Sequence, residues 1–182
     1  MTIVLKNTNF DFIMKSCKNI VGKHSNRVLT QIRLTSFKGS VVAEALNGVQ
    51  LIRVQVPCEH GSDEGVMLVP LCAPVGRNAS YVWLCTDKDT VTVSTEVLHT
   101  QYKAVLGVFP DTDKLFPSED PVCEMYFDPK VLIEALSPFK VSKFVKLEIR
   151  GAEKSLVLSS KYMSGLAVPL NPKKFPHKEA TT

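Results

Sequence analysis

The chain has 182 residues, 45% of them apolar and 22% charged, with a net charge of +4. That composition supports one full domain with its own core, or one domain plus a fragment, and it excludes wholesale disorder. The longest apolar run, Val66 to Val75, is broken by Pro70 and Pro74 and is too short to span a bilayer. The opening Met1-Thr2-Ile3-Val4-Leu5-Lys6 reads as a strand rather than a secretory leader, so a cytoplasmic location without membrane contact is expected. The five cysteines (Cys17, Cys58, Cys72, Cys85, Cys123) are scattered, form no C-x-x-C pair and read as reduced thiols. Charge is uneven: residues 1–40 carry +6, residues 41–127 carry −7 and residues 128–182 carry +5. Two basic ends around an acidic middle suggest a polarised surface that favours a polyanion on one side.

Taken in chain order, the first helix is expected to open at Thr8 as N-cap, with Asp11 three residues on. Phe10, Ile13, Met14, Cys17 and Val21 fall at helical spacing as a core stripe, and Gly22 is the expected stop. Lys15 and Lys18 then sit side by side, pointing away from the core. Strands follow at Val28–Thr35, Ser40–Ala45 and Val49–Val56, punctuated by Lys38-Gly39 and by Asn47-Gly48, a strong hairpin signal. Tyr81–Thr86 and Thr90–Val97 flank an Asp87-Lys88-Asp89 turn. Tyr102–Phe109 and Val122–Phe127 are two more expected strands. Asp128 as N-cap and Pro129 as first residue mark the second helix. Its expected buried face is Val131, Leu132, Ala135 and Leu136, with Phe139 packing from the turn that Pro138 imposes. Beyond it, Phe144, Lys146, Glu148 and Arg150 alternate with Val145, Leu147 and Ile149, and Ser155–Ser159 and Leu166–Leu170 complete a meander. The last stretch, 172–182, reads as a flexible basic tail.

The order strand, helix, several strands occurs twice. It predicts an α+β fold with internally duplicated strand-helix-three-strand halves, antiparallel sheets and two helices on one face. Chemistry is conspicuous by its lack of motif: there is no nucleophile elbow, no phosphate-cradling glycine loop and no dinucleotide fingerprint. His24, His60, His99 and His177 are far apart. Cys58-Glu59-His60 is the one local cluster of ligand types, and it lacks further ligands at metal spacing. The expectation is therefore no enzyme, no metal and no cofactor. Asp87, Asp89, Asp111 and Asp113 lie in predicted turns, which explains them.

The stretch Lys23 to Leu34, followed by Ala45-Leu46-Asn47-Gly48-Val49-Gln50-Leu51, resembles the β sliding clamp of the bacterial replicative polymerase. So do Tyr102–Phe109 with Pro110-Asp111, the helix Val131-Leu132-Ile133-Glu134-Ala135-Leu136 and the terminal Leu166-Ala167-Val168-Pro169-Leu170. The resemblance implies a clamp-like domain at 1–118, whose second half (65–118) is either a half-domain lacking its helix or an insertion. A further clamp-like half-domain is implied at 119–171. The segment Leu71-Cys72-Ala73-Pro74-Val75-Gly76, where a clamp domain would have its second helix, cannot hold a normal one.

The resemblance also implies a function: duplex DNA contacted through its backbone, without sequence readout, in a processivity or replication-accessory role. The implied DNA-facing residues are Lys15, Lys18 and Lys23, with Lys130 and Lys140 beside the second helix as further candidates. Val168, Pro169 and Leu170 match the stretch that lines the family's partner-peptide pocket, so polymerase or other clamp-binding proteins are implied partners. A homo-oligomer would be needed to build a ring from so short a chain. The alternative is a clamp-fold protein-interaction module that does not encircle DNA; a small-molecule-binding β-rich protein or unrecognised enzyme is a third reading.

Overall fold

The computed structural model describes residues 1–21, 25–72, 75–76 and 78–170. The chain divides into two compact units, Met1–Phe116 and Pro117–Thr182. The first unit contains β1 (Thr2–Lys6), α1 (Asn7–Cys17), β2 (Gln31–Phe37), β3 (Ser40–Leu46), β4 (Leu51–Pro57), β5 (Gly65–Pro70), β6 (Tyr81–Thr86), β7 (Thr90–Ser94) and β8 (His99–Lys103). Its strands form two four-stranded antiparallel sheets, ordered β4-β3-β2-β5 and β1-β6-β7-β8. Each sheet is a three-strand meander completed by the leading strand of the other half. β5 adds to the meander β2–β4, and β1 adds to the meander β6–β8. The exchange locks the halves together, because neither sheet can be completed by local residues alone.

Period-2 alternation puts Ile3 and Leu5, Ile32 and Leu34, and Val82 and Leu84 into one core, where all six are fully buried. The helical stripe Phe10, Ile13, Met14 and Cys17 joins that core as expected. The hairpin turns also follow their residues. Lys38 and Gly39 (φ 47° and 76°) join β2 to β3, and Asn47-Gly48 joins β3 to β4, the Asn47 side-chain oxygen accepting from the Val49 and Gln50 N–H groups.

Several local expectations give way to tertiary contacts. The helix opens at Asn7 rather than after a Thr8 cap, and the N-cap residue Lys6 makes no side-chain capping bond. Its start is instead tied to distant chain: the Asn7 N–H donates to the Ser80 carbonyl (2.9 Å), and its side-chain amide donates to the carbonyls of Gly76 (2.8 Å) and Ala79 (3.0 Å). Gly22 lies outside the described residues. Val28–Thr30 belongs to a 3-10 turn, not to the strand, because the Asn26 side chain accepts from the Val28 N–H and closes a local turn. Between β5 and β6 no helix forms among the described residues, and Cys72, Val75 and Ala79 are buried there in irregular chain.

The expected strand Tyr102–Phe109 stops at Lys103. Beyond it the chain crosses the second face of the β2–β5 sheet, where Phe109 is buried with Val28, Leu29 and Leu46. Gly107 makes the crossing possible. Its φ is 151°, and a Cβ there would stand 2.5 Å from Val28 Cγ2. Gly107→Ala is therefore expected to cost about 1–3 kcal/mol, from strained backbone and a forced contact. An unchanged urea midpoint for that variant would refute the close approach.

The second unit holds α2 (Pro129–Leu136), a 3-10 turn (Ser137–Val141), β9 (Lys146–Glu148), β10 (Leu156–Ser159) and β11 (Ser164–Ala167). The strands form one antiparallel sheet, ordered β11-β10-β9. Asp128 caps the helix as its sequence predicts, accepting the Lys130 N–H at 2.8 Å, and Phe139 is buried from the turn beyond. Two expectations fail here. Among the described residues, Val122–Phe127 belong to none of the three sheets, although the Tyr126 carbonyl accepts from the Leu170 N–H. Val131, expected on the buried face of the helix, is 44% exposed; among the described residues of this unit the buried apolar side chains are Phe139, Leu156, Leu158 and Ala167.

Candidate nucleic-acid interface

Burying Phe10, Ile13, Met14 and Cys17 fixes which side of α1 faces solvent. Lys15 and Lys18, three residues apart, are exposed together at the helix C-terminal end, where unpaired carbonyls favour cations. Lys15 reaches back one turn to Asp11 (Nζ–Oδ2 2.9 Å), an exposed pair of little net strength that partly offsets its charge. Lys18 is the C-cap residue, its N–H donating to the Met14 carbonyl at 3.1 Å. Lys23 lies outside the described residues. In the second unit, Lys130 is exposed in the first turn of α2 and Lys140 is exposed in the 3-10 turn beyond the helix. These two stand at opposite ends of the helical stretch. The structure therefore brings Lys15 and Lys18 onto one face and separates Lys130 from Lys140.

Val168, Pro169 and Leu170 follow β11, with Val168 62% exposed and the Leu170 N–H donating to the Tyr126 carbonyl at 2.6 Å. A cavity of about 470 Å³ in the first unit lies elsewhere. Val66, Leu68, Leu106, Val108 and Phe109 line it, with Lys88 among its polar groups. Among the described residues no three His, Cys, Asp or Glu side chains converge as a metal-binding group. Burial pushes the Cys17 thiol up to about 11, which keeps it protonated and unreactive at neutral pH. No helix among the described residues is long and apolar enough to cross a membrane.

A polar cluster that the sequence reading missed holds the crossing segment in place. Glu44 is paired directly across the sheet with Arg33 on β2 and Arg53 on β4. Its carboxylate accepts from Arg33 Nε (2.6 Å), Arg53 Nε (2.7 Å) and the Thr112 hydroxyl (2.5 Å), while only 1% of the side chain is exposed. Arg53 also reaches Asp113 (2.5 Å) and lies 4.8 Å from the centre of the Phe116 ring, and Arg33 lies 5.2 Å from that of Phe109. Burial alone would raise the Glu44 carboxyl. The hydrogen bonds from Thr112, Arg33 and Arg53, with the Arg33 charge, outweigh it and hold the group below the usual carboxylate range. The signal was present in the sequence as a lone acid in the otherwise apolar run Val41-Val42-Ala43-Glu44-Ala45-Leu46. Its Thr112 partner could not be read from spacing, since it lies 68 residues away.

Two meanders that exchange their leading strands beside a basic-faced helix define a fold of the DNA-clamp class. More particularly, the chain has the fold of the bacterial DNA polymerase III beta sliding clamp. It matches the beta chain of DNA polymerase III from Streptococcus pneumoniae with a TM-score of 0.80 and 17% identity, over 94% of this chain and 50% of that one. The sliding clamp of Bacillus subtilis matches with a TM-score of 0.76 and 15% identity, over 93% and 49% of the two chains. The beta subunit from Thermotoga maritima matches with a TM-score of 0.71 and 19% identity, over 92% and 49%. The chain thus spans about half the length of the clamps it matches. No family model matches the sequence, and no curated protein matches it.

Proposed function

We propose that this chain is a non-catalytic, clamp-like protein that contacts the backbone of duplex DNA without reading sequence, in a processivity or replication-accessory role. The observation that supports it is the placement of Lys15 and Lys18 side by side on the solvent face of α1, within a clamp fold. Lysines at that spacing offer point charges to successive phosphates and nothing shaped to a base edge. Lys23 would be a further contact, with Lys130 and Lys140 as secondary contacts, and polymerase or other clamp-binding proteins would be its partners. Retention on duplex DNA should fall steeply with salt and be indifferent to sequence. Absence of retention at low salt would overturn the reading.

The apolar cavity supports a second reading, a clamp-fold module that binds a protein segment without encircling DNA. Leu106 and Val108 on its rim are 80% and 92% exposed, an arrangement suited to an apolar peptide side chain. Val168, Pro169 and Leu170 would form a separate contact for such a segment, on the second unit.

A further inference from the structure

Of the eleven residues of α1, three are exposed: Thr8, Phe12 and Lys15. They are four and three residues apart, so their side chains stand in one row along the helix, and Lys18 at the C-cap continues it. The row is a hydroxyl, a phenyl ring and two ammonium groups, with the ring next to the first cation. Phe12 is 54% exposed. The proposed contacts of α1 with DNA use the ammonium groups and leave the ring without a role.

A single exposed apolar side chain is ordinary on a protein surface, so exposure alone assigns nothing. Two observations set this ring apart. The first is that nothing stacks on it. The other exposed phenylalanines of the first unit, Phe37 and Phe116, each have a cation over the ring, Lys38 at 4.9 Å and Arg53 at 4.8 Å. Among the described residues no cation or second ring lies on Phe12. The second is its charge setting. Asp11 is the one acid among residues 1–40, against seven lysines and arginines, and it is paired with Lys15. An uncovered ring in cationic surroundings suits a ligand that is both anionic and aromatic.

Phosphate contacts do not account for the ring. A phenyl group has no hydrogen-bond donor, and the bases of an intact duplex are stacked on one another with only their edges in the grooves. A base that has left the stack shows its face, and that face packs on an aromatic side chain whatever the sequence. Reach is adequate as well. Three residues rise about 4.5 Å along a helix, against about 3.4 Å per nucleotide of a stacked strand, so ring and ammonium can serve one base and a neighbouring phosphate.

We infer that Phe12 is a stacking platform for an unpaired base, so that α1 favours DNA with a single-stranded segment over intact duplex. The inference rests on the reading of α1 as a DNA-facing helix and narrows its ligand. The lysines supply affinity that depends on salt, and the ring supplies discrimination that does not.

Two labelled duplexes of equal length test it, one intact and one with a gap of a few nucleotides in one strand, each titrated with the full chain by fluorescence anisotropy. The gapped duplex should bind about tenfold more tightly, the order set by stacking one base on an aromatic ring. Phe12→Ala should bring the gapped duplex to the level of the intact one, while the intact duplex and its salt slope stay unchanged. Phe12→Trp should restore the preference. A fluorescent base analogue placed in the gap should change its emission on binding the wild type and not on binding Phe12→Ala. Lys15→Gln with Lys18→Gln should instead weaken both duplexes alike. Equal binding of the two duplexes by the wild type would overturn the inference. So would a preference that survives in Phe12→Ala, which would assign it to the flexibility of gapped DNA. If the intact duplex then still binds with a lysine-dependent salt slope, the reading of α1 stands and only the role of Phe12 falls. Binding of neither duplex would remove both.

Discussion

Glu44→Gln is expected to destabilise the first unit by about 3 kcal/mol, seen as a fall of about 10–20 °C in its thermal midpoint. The reason is an asymmetry between making and breaking a buried ion pair. With Glu44 in place, two guanidinium groups and a buried hydroxyl converge on one carboxylate that has 1% exposure. Gln keeps the shape but removes the charge, which leaves Arg33, itself only 20% exposed, without a counter-ion. The estimate sits at the low end for buried pairs because Arg53 is 34% exposed and keeps Asp113. The loss should not stay local, since the same cluster holds the 104–116 segment against the β2–β5 sheet.

The wild-type protein should show the matching pH dependence. The Glu44 carboxyl is held below its unfolded value of about 4.3. Its contribution is therefore complete above that value and is lost as pH falls through the lower, folded-state value. Glu44→Gln should remove this part of the acid sensitivity. Calorimetric melts from neutral to acid pH, on both chains, check both statements. A Gln variant within about 0.5 kcal/mol of wild type, the spread of ordinary surface substitutions, would show that the cluster is not what holds the segment.

The second large effect concerns DNA. Replacing Lys15, Lys18 and Lys23 with Glu should abolish retention on duplex DNA at physiological salt. Each lysine that neutralises a phosphate releases condensed counterions and contributes about 0.9 to the slope of log affinity against log salt. The neutral double change Lys15→Gln with Lys18→Gln should therefore flatten that slope by about 2, while affinity falls equally on unrelated sequences. Reversal to Glu goes further, because it places like charges against the phosphates. Lys15 on α1 and its C-cap residue Lys18 are both exposed, so the thermal midpoint of the double Gln variant should move little. Asp11→Asn offers a check of opposite sign: it frees Lys15 from its 2.9 Å pair and should strengthen retention modestly. Titrations of labelled duplex at several salt concentrations decide the matter. A slope unchanged by the lysine replacements would remove α1 from the interface.

Much of the architecture follows from local chemistry and is readable without coordinates. Asp128-Pro129 starts a helix because a carboxylate and a missing N–H suit that position, and Asn47-Gly48 turns a hairpin because those residues tolerate positive φ. The stripes Phe10, Ile13, Met14, Cys17 and Ile32, Leu34 face the core because their spacing matches the period of their elements. The face on which Lys15 and Lys18 sit follows from the same period, since burying one side of a helix exposes the other.

Contacts between distant residues decided the rest. β1 pairs with β6 about eighty residues away, Asn7 sets the helix start through Gly76, Ala79 and Ser80, and Glu44 finds Thr112 across 68 residues. Val122–Phe127 has strand-forming residues, yet among the described residues it joins none of the three sheets, although the Tyr126 carbonyl accepts from the Leu170 N–H. Leu147 and Ile149 have the alternation of core residues, yet they are half-exposed, because burial depends on what lies opposite. A sequence specifies which face of an element is apolar through short-range geometry. What covers that face is settled only when the chain closes on itself or on a partner, and the free energy of that closure belongs to the whole assembly.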